Sequence, residues 1–556
     1  VKDQLFECIV TLHRREDLEE FYYDMETPGG NLYIPDRSVD VDKRRPTSRN
    51  THYMLTAEEM HTVKNDDRVW DVCRQDIRPR PEPDWYAEDQ RYTKNTVKDS
   101  FDKNWGNYRH VLDSPIPQWG WNGTAPTQTV DNRITASGKN VDVLIVDGHM
   151  RPTHPEFAVN PNGTGGSRVV QYNWFQNDVG FGTGTYNYNT YTSYGANHGA
   201  HTGGTTAGNS QGWARDATIY NINPYQTENP NDGVLGYSDS VMWDYIRAWH
   251  NSKPINPATG RRNPTVSNHS YGTKVQVTGN RTGYFWPTRV LYRGNIVTEP
   301  GPDGTIIGGD TYKGMNIKSV GAQVECQYYF SSHFADVQDA IADGIICVAS
   351  AGNLGQKIVN SADQDFNTII YWPNIYGPDI EIYPLRGSGS LQGMDELINV
   401  GAMNDDVSEG RATFSNNGQH VAVWSAGEAI QSSYNYPTGN TVNDPRDTNY
   451  LLSKSQGTSM AGPQVCGVLA CLAESWPTMN QAQAKEWIET NGLKDQVYDS
   501  GTGDITDDDA LMGGPNNMLY WFNQRPEEGA ASPKVNFLPR PVEGATWPRT
   551  RTRKWG

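Results

Sequence analysis

Four residues that lie far apart in the chain have the types that acyl transfer through a nucleophile requires. Ser459 sits in Gly457-Thr458-Ser459-Met460-Ala461-Gly462-Pro463, at the mouth of an apolar run (Val465, Val468, Leu469, Leu472) that reads as a buried helix. A serine hydroxyl is a weak nucleophile until an imidazole takes its proton. The imidazole in turn needs a carboxylate to fix its tautomer, and the oxyanion that forms needs donors already in place. His198, in Asn197-His198-Gly199-Ala200-His201, is the candidate base, and Asp147, directly after Val141 to Val146, is the candidate carboxylate. Asn353, at the end of Ser350-Ala351-Gly352-Asn353, supplies an amide donor. The chain order Asp, His, Ser is one of those in which this constellation occurs. Taken singly, each residue has an ordinary role: a strand-end turn for Asp147, a hydrogen-bonded loop for His198, a left-handed turn for Asn353 and a helix cap for Ser459. Only the combination points to chemistry.

The elements that must position these residues are legible as an alternation of strands and helices. Strands are expected at Val141 to Val146, Ala217 to Ile222, Thr265 to His269, Ile345 to Ala349, Ile398 to Ala402 and Val421 to Trp424. Helices are expected around Val241, Tyr245 and Trp249, and through Phe334, Val337 and Ile341, the latter closed by Gly344. Repeated strand–helix–strand units predict an α/β fold with a doubly wound, mostly parallel sheet, whose ligands sit at the carboxyl ends of the strands. Asp147 and Asn353 both follow such ends. Two stretches, Asn177 to Asn197 and Thr273 to about Glu325, are far longer than ordinary connections and read as loops at the rim of the sheet.

Ahead of this lies a smaller unit, residues 1–76. Phe6 to Leu12 reads as a strand, and Leu18, Phe21, Tyr22 and Met25 form one helical face. Thr56 and Glu59 make a capping box for a second helix, between short strands at Tyr53 to Leu55 and Arg68 to Cys73. That order, with room for one more strand, predicts a small ferredoxin-like α+β fold. Arg78-Pro79-Arg80-Pro81-Glu82-Pro83 cannot continue a helix or a central strand and opens a linker, residues 77–103, before the main unit, residues 104–522. The Pro- and Arg-rich tail, residues 523–556, reads as an extended arm through which a larger assembly would be reached.

The totals fit this division. At 556 residues the chain exceeds a single ordinary core, and 17 Trp and 30 Tyr supply large buried areas while 55 Gly and 33 Pro imply many tight loops. A net charge of −18 argues against nucleic acid as a partner, and the absence of an 18-residue apolar run argues against a membrane span. The first ten residues are too polar for a signal peptide, and there is no initiator Met. This leaves the compartment open between extracellular and virion-associated. Six cysteines show no metal-ligand spacing and read as buried thiols, with Cys8 and Cys73 placed in strands near enough to pair. Asp504, Asp507, Asp508 and Asp509 lack the spacing of a calcium loop and read as a solvated acidic turn.

In five motifs, in order, the chain resembles the subtilisin-like serine proteases (subtilases), nearest the proteinase K type. Val143-Leu144-Ile145-Val146-Asp147 followed by Thr153-His154-Pro155-Glu156-Phe157 is similar to the aspartate motif, and His198-Gly199-Ala200-His201 to the histidine motif. Ser270-Tyr271-Gly272 resembles the segment that pairs with substrate, Ala349 to Asn353 the oxyanion motif, and Gly457 to Pro463 the serine motif. The resemblance implies a serine endopeptidase with Asp147, His198 and Ser459 as catalytic residues and Asn353 at the oxyanion. It implies that Ser270, Tyr271, Gly272, Ala351 and Gly352 bind substrate. Residues 6 to 76 resemble the family's inhibitory prodomain, which implies a zymogen cut by itself between Asp76 and Asn104. No cofactor is implied for the chemistry, structural calcium is compatible with the family, and the implied partners are a protein or peptide substrate and the chain's own prodomain.

The chain also departs from the family pattern. Gly148 and His149 stand where Thr or Ser and then Gly are usual, so a hydroxyl that would bond Asp147 is missing; Arg151 replaces an acidic residue and Ala200 a threonine. With the long rim stretches, these departures keep open a second reading: a structural or virion-associated protein that retains the fold with a latent or weak site.

Overall fold

The computed structural model describes residues 5–35, 37, 48–74, 82–83, 104–111, 136–174, 196–224, 239–272, 274–278, 289–298, 318–320, 323–327, 331–372, 379–386, 391, 394–406, 409–438, 441–501 and 510–521. A nine-stranded sheet dominates. Its strands lie in the order Leu493–Lys494, Asn517–Met518, Val423–Ala426, Ile398–Met403, Ile345–Ser350, Thr265–His269, Asp142–Val146, Thr218–Ile222 and Val169–Val170. Every pairing is parallel except the first, which is antiparallel. The expected α/β fold is therefore present.

Strands buried on both faces are apolar throughout, and successive side chains serve opposite cores. Val143 and Ile145 join one core with Ile346, Val348 and, from the helix Thr458–Ser475, Val465, Val468 and Leu469. Leu144 and Val146 join the other, with Trp243, Tyr245, Ile246 and Trp249 of the helix Asp239–Ser252. The helix Ala196–Ala207 packs against Thr458–Ser475 on the first face; Ser331–Ala342 packs beside Asp239–Ser252 on the second. From Asp142–Val146 the chain moves outward to Thr218–Ile222, then returns to Thr265–His269 on the other side. Strand order thus reverses around Asp142–Val146, and the crevice at its carboxyl end is the switch point where such sheets bind ligands.

The histidine-bearing helix Ala196–Ala207 can approach that crevice because Gly199 and Gly204 bring no side chain to its tightest contacts. A Cβ on Gly199 would stand 1.9 Å from the carbonyl oxygen of Gly148, and one on Gly204 would stand 2.3 Å from Ser432 Oγ. The glycines set the distance between helix and strand end, and with it the reach of His198.

The N-terminal unit has its own core, formed by Phe6, Cys8, Val10, Leu12, Phe21, Met25, Tyr53, Leu55, Val63 and Val69 among others. Its three antiparallel strands lie in the order Asn50–Leu55, Phe6–Leu12, Val69–Arg74, with helices Leu18–Glu26 and Ala57–Lys64. The Thr56–Glu59 capping box is formed. The unit docks on Ser331–Ala342. Asn50 Nδ2 donates to both oxygens of Asp336 (3.1 and 3.0 Å), Asp71 accepts from Ser331 Oγ, and Trp70 meets Phe334 edge-on at 5.6 Å.

Two expectations need correction, and others fall outside the described residues. Cys8 and Cys73 do sit on neighbouring strands, but neither is in a disulfide. The register sets Cys8 opposite Arg74 and Cys73 opposite Ile9, so the one-residue offset sends the two thiols to opposite faces. The Thr273 to Glu325 stretch is not loop alone: Lys274–Thr278, Lys318–Val320 and Gln323–Gln327 form one antiparallel sheet. Arg289–Tyr292 and Asn295–Thr298 join Ile369–Trp372 and Ile380–Ile382 in another. Short strands such as Arg289–Tyr292 are too brief for their alternation to stand out among glycines and threonines. The additional N-terminal strand, the Asn177 to Asn197 loop up to residue 195, the acidic turn at 504–509 and the tail lie outside the described residues. Among the described residues, no helix is long and apolar enough to cross a membrane.

Gly199→Ala is expected to push the histidine helix off the strand end. Thermal unfolding should show a lower midpoint, for a destabilisation of about 1–3 kcal/mol. A midpoint equal to that of the parent would mean the helix has slack that this packing does not show.

Candidate active site

Asp147 lies one residue beyond its strand and is 4% exposed; His198 is 1% exposed and Ser459 is fully buried. His198 Nδ1 stands 2.8 Å from Asp147 Oδ1 and 2.7 Å from Oδ2. Facing a carboxylate, Nδ1 must carry the proton, which makes Nε2 the basic nitrogen. The carboxylate has two further donors: the Gly148 N–H to Oδ1 at 2.7 Å and the Thr202 hydroxyl to Oδ2 at 3.0 Å. The turn itself is clamped by Asn221 of the neighbouring strand, whose Nδ2 donates to the carbonyls of Ile145, Asp147 and Gly148.

Ser459 enters on the first turn of Thr458–Ser475. The helix is capped by Gly457, whose φ of 145° lies in the region that favours glycine, and Gly457 N–H bonds the carbonyl of Gly427 at 2.8 Å. Ser459 is thus inside the helix and is not its cap. Its hydroxyl donates to the Ser270 carbonyl (3.1 Å), and the Ser270 hydroxyl donates back to the Ser459 carbonyl (3.0 Å). This reciprocal pair joins the Ser459 helix to the strand Tyr271–Gly272.

Asn353 is oriented by Thr458. The Thr458 N–H and hydroxyl both reach Asn353 Oδ1 at 2.8 Å, so the carboxamide oxygen faces Thr458 and the NH2 end is the one directed elsewhere. The same hydroxyl accepts from Gly352 N at 3.1 Å. The Ala351 N–H bonds Val400, and Asn416 holds the Ala351 carbonyl through its Nδ2 and the Gly352 carbonyl through its N–H. The segment Ala351 to Asn353 is rigid in consequence.

Tyr271 and Gly272 pair antiparallel with Glu82–Pro83 of this chain, in the register Glu82 opposite Gly272 and Pro83 opposite Tyr271. The Tyr271 ring turns into the core. Its hydroxyl lies 3.2 Å from His269 Nδ1, His269 Nε2 lies 3.0 Å from Ser267 Oγ, and Ser267 Oγ donates to the Ile346 carbonyl. Because the Ser267 proton is spent on Ile346, Nε2 of His269 is the donor and Nδ1 accepts from Tyr271. The His269 ring stacks on Trp243 at 5.0 Å, and burial first, then the neighbouring His333, push its pKa down to about 3.

The other histidines near the site are structural, as their sequence contexts suggest. His201 Nε2 donates to Ile430 O and burial lowers its pKa to about 3; His154 Nε2 donates to Leu451 O and Nδ1 accepts from Glu156 N. Arg151 lies over the Tyr450 ring at 4.2 Å and not toward Asp147.

Residues 138–514 match the model of the subtilase family. The chain belongs to the subtilase family. All four residues singled out in the sequence lie within that span, whereas the N-terminal unit precedes it. Among curated subtilases, the chain is 31% identical to subtilisin DY of Bacillus licheniformis over 164 residues, which is 29% of this chain and 45% of that protein. It is 24% identical to fervidolysin of Fervidobacterium pennivorans over 459 residues, 79% of this chain and 49% of the relative. The matches thus span about half the length of these relatives. Among solved structures, the crystal structure of fervidolysin, a keratinolytic enzyme related to subtilisin, aligns with 93% of this chain and 61% of its own at a TM-score of 0.45 and 17% identity. A cold-adapted subtilisin-like serine proteinase aligns with 76% of this chain and 100% of its own at a TM-score of 0.42 and 17% identity.

Sequence reasoning missed three residues of this subtilase site: Thr202, Asn221 and Thr458. Thr202 is one helical turn from His198, a spacing that puts both on one face, and that signal was present in the small-residue run. Thr458 adjoins Ser459, but which side chain it holds depends on long-range packing. Asn221 is a polar residue inside an apolar strand, an oddity that only a turn on the next strand explains.

A histidine buried neutral binds fewer protons than its unfolded counterpart near the reference value of about 6.5. Stability tied to His269 is therefore complete above about pH 6.5 and is lost as pH falls toward about 3. His269→Asn should be less stable than the parent at pH 7 but lose less of its unfolding temperature between pH 7 and pH 4. Parallel pH curves for the two proteins would count against this.

Proposed function

We propose that the chain is a serine endopeptidase in which Ser459 attacks a peptide carbonyl, His198 acts as general base and then general acid, and Asp147 orients His198. The observation that carries this reading is the buried His198–Asp147 pair, at 2.7 Å, with His198 on a helix packed against the helix that bears Ser459. With the proton fixed on Nδ1, Nε2 accepts the hydroxyl proton as the nucleophile attacks, and Asp147 stabilises the imidazolium that forms. The proton then passes to the leaving amine. Asn353 NH2 and the Ser459 N–H stabilise the tetrahedral oxyanion, and the rigid hold of Thr458 on Asn353 supplies the preorganisation on which such stabilisation depends. Substrate pairs as an extended strand along Ser270 to Gly272 beside Ala351 and Gly352. The partner class is protein or peptide.

The chain is made in a closed form, with residues 1–76 as the prodomain. Two observations support this. Ser459 has no exposed surface, and the strand Tyr271–Gly272 is already paired with Glu82–Pro83. Running antiparallel, the segment proceeds from Gly272 toward Ser270, whose carbonyl holds the nucleophile's hydroxyl. On this reading the bond cut in processing, expected between Asp76 and Asn104, follows Pro83.

A fluorophosphonate probe on the purified protein tests the reading. Wild type is expected to be labelled once processed, with a new N-terminus after Pro83, while Ser459→Ala stays intact and unlabelled. Asn353→Ala should lower kcat by about 10²–10³-fold with little change in KM. Labelling that survives in Ser459→Ala, or none in a processed wild type, would sink the proposal.

A further inference from the structure

The sequence lacks a hydroxyl at position 148, yet Asp147 has a hydroxyl partner. We propose that Thr202 is the positioning residue that locks the Asp147 carboxylate, and through it the His198 ring, in the place of a side chain that Gly148 cannot provide. The assignment rests on the triad reading above and names a residue that acts on it without touching substrate.

A carboxylate bonded to one imidazole nitrogen through both oxygens can still turn about its Cβ–Cγ bond. Donors on different oxygens stop that rotation. Here Gly148 N–H serves Oδ1 and Thr202 Oγ1 serves Oδ2, at 2.7 and 3.0 Å. Thr202 is fully buried, so no water competes for its proton. The alternative acceptor is the carbonyl of Gly199, three residues back on the same helix, at 3.2 Å. Threonine in a helix commonly bonds back in that way. However, the hydroxyl has one proton, and a hydrogen bond to an ionised acceptor is roughly twice as strong as one to a neutral carbonyl. The proton therefore rests on Asp147 while that residue is charged.

The fold makes the arrangement available through helix geometry. His198 and Thr202 are at i and i+4, on one face, so a single helix delivers both the imidazole and the hydroxyl to the same carboxylate. The contact of Gly199 with Gly148, where a Cβ would stand 1.9 Å from the carbonyl oxygen, fixes that face at the right height. A hydroxyl from residue 148 would come from the strand side and one from residue 202 comes from the helix side. Gly148 is not among the residues with positive φ, so a side chain there meets no left-handed strain.

The test uses four proteins: wild type, Thr202→Val, Thr202→Ser and Gly148→Ser combined with Thr202→Val. Valine keeps the shape of threonine and removes only the donor. Thr202→Val is expected to lower kcat on a peptide substrate about tenfold or more, with KM within about twofold of wild type. Thr202→Ser should stay near wild type, and the hydroxyl that Gly148→Ser adds in the double variant should recover most of the loss. A Thr202→Val kcat within about twofold of wild type would overturn the proposal, as would equal losses in the Val and Ser variants. A readout independent of turnover is the downfield proton resonance of His198 Nδ1–H. It should shift in Thr202→Val and not in Thr202→Ser. If wild type hydrolyses nothing and labels nowhere, the triad reading fails, and this resonance alone decides whether Thr202 holds Asp147. An unmoved resonance in Thr202→Val would then overturn it.

Discussion

A carboxylate buried at the end of a parallel sheet is the constraint around which this molecule is arranged. An ionised Asp147 without partners would be costly in so dry a place, so donors must converge on it from every element nearby. The strand end supplies the Gly148 amide, and the helix Ala196–Ala207 supplies an imidazole and a hydroxyl. The adjoining strand supplies Asn221 to hold the turn. Each donor imposes a distance, and the distances explain the bare glycines of the histidine helix. What looks like a small-residue sequence bias is thus the mould of one charge.

Ser459 is held by a different logic. Ser459 and Ser270 exchange hydrogen bonds, and Thr458 joins Asn353 and Gly352. Three separate strand ends, those after Asp142–Val146, Thr265–His269 and Ile345–Ser350, therefore meet at two helix termini. None of the side chains concerned relies on a flexible loop for its position. That is the condition under which donors can be preorganised for a charge that exists only transiently.

Much of this was legible in the sequence. Continuous apolar runs such as Val141 to Val146 report strands buried on both faces, and polar residues at their ends report where the chemistry gathers. The helix from Thr458 was legible from its apolar spacing despite the internal Pro463. What stayed hidden depends on pairing. The alternation of a strand says which residues share a face but not which neighbour they meet, so Cys8 and Cys73 could be placed side by side and still not on the same face. The strands within Thr273 to Glu325 are too short to announce themselves. Thr202 was hidden for a subtler reason: its role exists only because residue 148 is glycine, and the two positions are remote in the chain.

The attachment points of the chain on either side of residues 84–103 carry one more consequence. The N-terminal unit is anchored on Ser331–Ala342, whereas Trp105 to Val111 dock on the opposite face, where Trp105 packs with Met460 and the Trp105 indole N–H bonds the Glu428 carbonyl at 2.7 Å. Between the two anchors, Glu82–Pro83 lies along the strand at the cleft. On the closed form proposed above, the segment at the cleft is a ligand covalently joined to both anchors, at a local concentration no free peptide would match. The processing proposed above would convert an intramolecular occupant into one that obeys mass action, so that dilution would open the cleft.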